Sequence, residues 1–203
     1  MRFPIVLIFS FFLIYSLLNL SACQEKAEVN LPKEPIPYKT LPDFICAHGD
    51  LAFDSIDIQT FEDGSHFSIT FLSGGQPHGQ QLIYYENGEI KTRRHYCLGE
   101  INGPFTNYYE DGTIQVRGYY HEGRMSGSWH FYYPDGKPKE VVYFIDNEER
   151  GPFREYHKNG QLKASGYYIG EDREHGLLYL YEEDGELKRR MRCNNGICFT
   201  ISS

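Results

Sequence analysis

Methionine and tryptophan are scarce in this 203-residue chain, with three and one copies, whereas tyrosine (17), phenylalanine (14) and glycine (20) are abundant. Flat aromatic rings pack well on pleated strands and glycine supplies turns, so this balance predicts β-structure. It excludes a helical bundle. A hydrophobic content of 40% also excludes a wholly disordered chain.

The chain also lacks an excess of positively charged residues. The chain carries 20 basic and 28 acidic residues, which gives a formal net charge of -8. Because proteins bind nucleic acids mainly by neutralising phosphates, we expect no nucleic-acid partner.

The sequence lacks the common signatures of catalytic and metal sites. It contains no Gly-x-Ser-x-Gly, no His-Glu-x-x-His, no phosphate-binding glycine loop and no Cys-x-x-Cys. Histidines such as His95 and His130 are scattered over strand positions and form no constellation. We therefore expect no enzymatic activity, no cofactor and no metal.

The N-terminal sequence has the pattern of an export signal. Arg2 precedes an almost unbroken apolar run over residues 5–18, which is too short for a full membrane span. Residues 20–23, Leu-Ser-Ala-Cys, resemble the bacterial lipobox, which implies a signal peptide over residues 1–22 and a lipid on Cys23. An uncleaved signal anchor and a soluble secreted form are the alternatives. Gln24 after the cysteine favours the outer membrane as the location in the cell envelope.

A proline-rich segment follows the cysteine. Residues 23–42 combine four prolines with charged side chains and little apolar content, which predicts a lipidated, flexible tether. Residues 43–54 are predicted to be an N-terminal cap segment.

A 24-residue period organises the rest of the chain. Asn-Gly or Asp-Gly pairs recur at this spacing, with one step of 25, at residues 63–64, 87–88, 111–112, 135–136, 159–160 and 184–185. Such pairs between aromatic runs are a strong signal for β-hairpins with type I′ turns, in which both central residues have positive φ. The extra residue falls in the connection 169–175.

Each copy also opens on a small residue and closes on a second turn. The repeats begin near residues 55, 79, 103, 127, 151 and 176 and form an array over residues 55–203. Apolar and polar side chains alternate on either side of each turn, as in strands with one buried and one solvent-exposed face. The pattern predicts an all-β, elongated antiparallel meander of about six stacked hairpins, or about twelve strands.

The unit that starts at Gly103 and runs through Pro-Phe-Thr-Asn-Tyr-Tyr-Glu-Asp-Gly resembles the MORN-repeat variant of bacterial lipoproteins and of YwqK-type antitoxin proteins. This resemblance implies hairpins stacked in chain order. The first copy has Ser55 in place of glycine and the last has Arg192-Cys193 in place of an aromatic pair. Terminal repeats are commonly atypical because they cap the stack.

Four further cysteines lie in a chain that we expect to be exported to an oxidising compartment. Cys193 and Cys198 flank a predicted turn, so their sulfurs can meet across a short hairpin. Pairing of Cys46 with Cys97 is then the remaining option, although four cysteines allow three connectivities.

These observations favour a non-enzymatic, lipid-anchored scaffold of the bacterial cell envelope that binds a protein or an envelope polymer. The candidate contacts are aromatic residues of the central repeats, namely Tyr108, Tyr109, Trp129, Tyr132, Tyr133, Tyr156 and Tyr168. Packing within the sheet is the alternative role for many of them. The alternative functions are an antitoxin that neutralises a partner toxin and, third, an envelope hydrolase.

Overall fold

The computed structural model describes residues 53–201, and all of its regular structure is β. The predicted signal peptide, the tether and most of the cap segment lie outside these residues. One antiparallel sheet contains every strand in chain order, without crossovers, so the predicted all-β meander is confirmed. The strands are β1 Ser55–Thr60, β2 His66–Ser73, β3 Gln76–Tyr84, β4 Ile90–Cys97, β5 Glu100–Tyr108, β6 Ile114–His121, β7 Arg124–Tyr132, β8 Pro138–Ile145, β9 Glu148–Tyr156, β10 Leu162–Ile169, β11 Gly176–Tyr181, β12 Leu187–Asn194 and β13 Ile197–Thr200.

The sheet has 13 strands, one more than six hairpins supply. The additional strand, β13, folds back on β12, with Cys193 opposite Cys198. The last unit is therefore three-stranded, and its final strand forms one open edge of the sheet.

The Asn-Gly and Asp-Gly turns join the two strands of each hairpin, as predicted, but their predicted type I′ geometry is wrong. At the second tip only Gly88 has positive φ (86°), and its N–H donates to the Tyr85 carbonyl. The Asn87 side chain accepts a hydrogen bond from the Glu89 N–H at 2.9 Å. The asparagine or aspartate is thus selected because its side chain holds the turn, while glycine alone adopts the left-handed conformation.

The type I′ geometry belongs to the turns at the opposite edge of the sheet. There both central residues have positive φ, as in Glu122 (47°) with Gly123 (75°) and Asp146 (53°) with Asn147 (70°). The second central residue of each turn, usually glycine, was recognisable in the sequence. Nothing in the sequence indicated that the first central residue, such as leucine or glutamate, adopts the left-handed conformation.

The opening glycine of each central repeat forms a bulge. Gly103 has φ 112°, and residues 102–104 lie opposite the single residue His95 of β4. The equivalent shift recurs against β2, β6 and β8. Because the bulge needs a conformation that only glycine adopts readily, it explains why a glycine opens these repeats.

The core lies on one face of the sheet, here termed the core face. Its buried apolar side chains run from β7 to β12 and comprise Trp129, Val142, Phe144, Phe153, Ala164, Leu178 and Cys193. Large rings lie flat against glycines on neighbouring strands: a Cβ on Gly166 would come within 2.7 Å of the Phe153 ring. A single sheet thereby buries aromatic side chains without a second layer.

Candidate binding surfaces

Trp129, predicted as an exposed contact residue, belongs to the core instead. Its side chain is only 2% exposed and packs edge-to-face against Tyr120, with ring centroids 5.2 Å apart. The rings of Phe105 and Phe144 lie within 6.1 Å on either side. Direct contact between Trp129 and a partner is therefore ruled out by burial. The sequence placed it in a strand but could not show which face that strand buries.

A ladder of hydrogen bonds joins the Asn/Asp-Gly tips and uses two other predicted contact residues. The Tyr109 hydroxyl donates to the carbonyl of Tyr132, and the Tyr133 hydroxyl to that of Tyr156, each at 2.9 Å. Tyr85 makes the same bond to Tyr108 at 2.7 Å. In the fifth repeat His157 Nε2 lies 3.0 Å from the Tyr181 carbonyl oxygen. We call this series the tip ladder, and it fixes each repeat against the next.

The type I′ turns are joined in the same way at the other edge of the sheet. The Gly99 N–H donates to the Pro77 carbonyl and the Gly123 N–H to the Ile101 carbonyl, both at 2.8 Å. Asn147 donates its N–H to the Met125 carbonyl and accepts from the Met125 N–H through its side chain. Hydrogen bonds at both edges therefore set the spacing between repeats.

The face opposite the core, here termed the tyrosine face, carries Tyr108, Tyr132 and Tyr156 at equivalent positions. Tyr132 follows Phe131, which packs against the core, so alternation along the strand directs the Tyr132 ring to the other face. All three tyrosines are half-buried. The Arg117 guanidinium lies over the Tyr132 ring at 5.5 Å from its centroid. Of the predicted contacts, these three form a regular row at equivalent positions on this face.

Tyr168 is half-buried and stacks on Phe153, with ring centroids 4.2 Å apart. Burial, followed by the nearby carboxylates of Glu149 and Glu174, raises the pKa of its hydroxyl. Its ring is thus part of the core-face packing rather than of the tyrosine-face row.

Carboxylates crowd together beside this tyrosine. Glu140 and Glu155 are direct cross-strand partners on β8 and β9. Burial, and then the charge of Glu155, raises the pKa of Glu140, and Lys163 forms an ion pair with Glu155 at 2.7 Å. Over residues 53–201 no group of three or more histidine, cysteine or acidic side chains is arranged to hold a metal ion.

The two histidines considered for catalysis lie apart on β4 and β7. His130 is buried, and its burial, with the charge of Arg117 as a second cause, lowers its pKa to about 4. Burial likewise lowers the pKa of His95, whose Nδ1 lies 3.5 Å from the Pro104 carbonyl oxygen. The lowered pKa favours the neutral form of each ring.

A disulfide bond joins Cys193 to Cys198 and ties β13 to β12. Cys97 is also disulfide-bonded. Its predicted partner Cys46 and the predicted lipidation site Cys23 lie outside the described residues. Within the described part of the chain there is no helix with the length and hydropathy to span a membrane.

One cleft opens beside the first two hairpin tips and was not predicted from the sequence. Its volume is about 570 Å³. It is lined by Phe61, Phe67, Tyr84, Tyr85, Glu86, Asn87, Lys91 and Glu110. The available signal was Phe61, which stands where the following repeats have Tyr85, Tyr109 and Tyr133. Its meaning depends on the tip ladder, which only the structure shows.

Part of the repeat array matches a known family of repeats. Four segments of the chain match the MORN repeat variant. They are residues 77–97, 101–122, 125–146 and 149–169. Each segment begins two residues before a bulge glycine and covers one hairpin, from β3–β4 to β9–β10. The terminal units β1–β2 and β11–β13 lie outside these four MORN segments, in keeping with their predicted departures from the pattern. A search of curated proteins found no match.

Proposed function

We propose that this protein is a non-enzymatic binding scaffold, held on the bacterial outer membrane by a lipid at Cys23. The observation that carries the scaffold role is the regular hydrogen bonding between repeats at both edges of the sheet. It keeps corresponding side chains of successive MORN repeats at a constant separation. A rigid, periodic surface can bind an extended partner without a large loss of conformational entropy.

The tyrosine face is the proposed contact surface for a protein partner. Tyr108, Tyr132 and Tyr156 place one aromatic ring per repeat in a row, and arginine lies beside the central one. Tyrosine and arginine are the residue types most enriched among the side chains that dominate binding energy. Arg93 adds a further positive charge to this face, because it pairs with Thr106, which in turn pairs with Arg117.

The contact surface is tested by cross-linking and capture from envelope extracts with the lipidated chain. The variant Tyr132→Ser/Tyr156→Ser removes two rings of the row, and Tyr132→Phe/Tyr156→Phe is the matched control that keeps them. We expect the serine variant to lose its specific partner and the phenylalanine variant to retain it. Equal capture by all three proteins would exclude this face as the binding surface.

The anchor has a separate test. Cys23→Ser is expected to abolish labelling with radioactive palmitate and to release the protein from the membrane fraction, because acyl chains supply about 0.8 kcal/mol of membrane affinity per buried methylene. Unchanged labelling would refute lipidation at Cys23. In the capture experiment, a stoichiometric complex with a toxin would favour the antitoxin function over an envelope scaffold.

A further inference from the structure

The cleft at the first two tips exists because the tip ladder begins one repeat late. In each following repeat a ring at the tip donates to the carbonyl 23 or 24 residues ahead, as Tyr85 donates to Tyr108. The equivalent pair in the first repeat is Phe61 and the Tyr84 carbonyl. Phe61 has no hydroxyl, so this bond cannot form, and its ring instead packs edge-to-face on Phe67 at 5.3 Å.

A second tip-to-tip bond is also missing there. Asn87 donates through Nδ2 to the Glu110 carbonyl at 3.0 Å, and Asn159 makes the equivalent bond to Glu183. The first tip has Asp63 at this position, and its carboxylate accepts from Ser65 and has no proton to donate. The junction between the first and second tips thus lacks both kinds of donor. The tips at Asp111 and Asp135 also lack the asparagine, but they keep the tyrosine bond.

The walls of the cleft supply acceptors and aromatic surface. Tyr84, whose carbonyl receives no ladder bond from Phe61, lines it together with the acidic residues Glu86 and Glu110, and Phe67 is 40% exposed. Burial, and then the charge of Glu110, raises the pKa of the Tyr85 hydroxyl. Such a site favours a ligand that donates several hydrogen bonds and presents an apolar face to the rings.

The charged residues of the cleft are of both signs, two acidic and one basic. The Lys91 ammonium lies 5.3 Å from the centroid of the Tyr85 ring, where a cationic ligand would otherwise bind. The two carboxylates repel an anion. A neutral ligand with many hydroxyl donors satisfies the acceptors without opposing either charge.

We propose that this cleft binds a neutral carbohydrate chain, with sugar hydroxyls donating to Tyr84, Glu86 and Glu110 and the C–H faces of the rings packing on Phe61 and Phe67. A volume of about 570 Å³ lies within the range of small-ligand sites. None of Tyr108, Tyr132 and Tyr156 lines this cleft, and the proposal does not depend on the proposed protein partner or on the lipid anchor.

The decisive variant is Phe61→Tyr, which supplies the hydroxyl that the other repeats have. It should donate to the Tyr84 carbonyl, raise the melting temperature and remove the acceptor that the sugar uses. Calorimetric titration of the full chain in detergent with cellotetraose, maltotetraose, mannotetraose and fully N-acetylated chitotetraose measures binding. We expect at least one to bind wild type with a Kd of about 1 mM or tighter, and Phe61→Tyr to bind it at least about tenfold more weakly.

Two further variants complete the experiment. Phe67→Ala removes an exposed ring of the cleft and should also weaken binding about tenfold or more. Tyr133→Phe alters a distant rung of the tip ladder and should bind the sugar as wild type does. Choline and inorganic phosphate serve as charged probes. The proposal is overturned if none of the four sugars binds, if Phe61→Tyr binds as well as wild type, or if choline or phosphate binds in their place.

Discussion

The indole of Trp129 lies on Gly118 so closely that a Cβ at this glycine would come within 2.2 Å of the ring. Gly118 is opposite Phe105 on β5 and adjoins β7 on its other side. The contact lets the largest side chain of the core lie flat on a one-layer sheet. It follows that the residue opposite an aromatic ring matters here as much as the ring itself.

Gly118→Ala should therefore destabilise the fold by about 1–3 kcal/mol, because the added methyl group forces the indole out of its position. Urea unfolding monitored by circular dichroism measures the change. In a Trp129→Leu background the same alanine should cost much less, since a smaller side chain can move aside. Equal costs in the two backgrounds would show that the contact with the indole is not the cause.

Removal of one hydroxyl from the tip ladder should weaken the sheet by about 0.5–1.5 kcal/mol. Tyr109→Phe deletes the bond to the Tyr132 carbonyl and leaves that carbonyl without this donor. Tyr167→Phe is the matched control, because Tyr167 is 48% exposed and lies outside the tip ladder. If the two variants unfold at the same urea concentration, the ladder bond contributes no net stability.

The left-handed glutamate of a type I′ turn offers a stabilising substitution. Glu122 has φ 47°, which asparagine adopts more readily, so Glu122→Asn should raise the free energy of unfolding by about 0.5 kcal/mol. Glu183→Asn is the control at a tip position whose φ is negative. Thermal unfolding should separate the two, and a gain in the control alone would contradict the assigned turn geometry.

Acidification should weaken the protein through His130. The pKa of this buried ring falls from 6.5 to about 4. The stabilisation that comes from its neutral form is complete above pH 6.5 and is lost progressively as the pH falls from 6.5 to about 4, with a limit of about 3 kcal/mol. His130→Gln is neutral throughout, so its stability should decline less over this interval. Parallel declines in urea unfolding would show that other groups carry the pH dependence.

The repeat period predicted the strand order, because consecutive hairpins of equal length leave a meander as the simplest arrangement. It also located the extra residue of the fifth connection, where β10 and β11 share only the pairs Ala164–Leu180 and Ser165–Tyr179. The repeat period could not assign Trp129 to the buried face, because alternation distinguishes the two faces of a strand but does not show which of them is buried. The turn types were misassigned because Asn-Gly suits both a type I′ turn and a turn closed by its own side chain.

The tip ladder gave no signal of its own in the sequence. The sequence does not distinguish the ladder tyrosines from the tyrosines beside them, which do not form these bonds. The ladder tyrosines are Tyr85, Tyr109 and Tyr133, and each bonds to a residue 23 positions further along the chain. The cleft depends on the absence of one such bond at Phe61. The absence of the bond at Phe61 can be recognised only after the ladder of tyrosine hydrogen bonds is known.

Every rung of the tip ladder points the same way, from an earlier tip to the carbonyl of the next. Each internal repeat therefore presents a hydrogen-bond donor to the repeat that follows it and an acceptor to the repeat that precedes it. Duplication or loss of one whole 24-residue unit among β3–β10 leaves every junction able to bond. A chain built in this way can change its length during evolution by unequal recombination, while its two ends stay distinct.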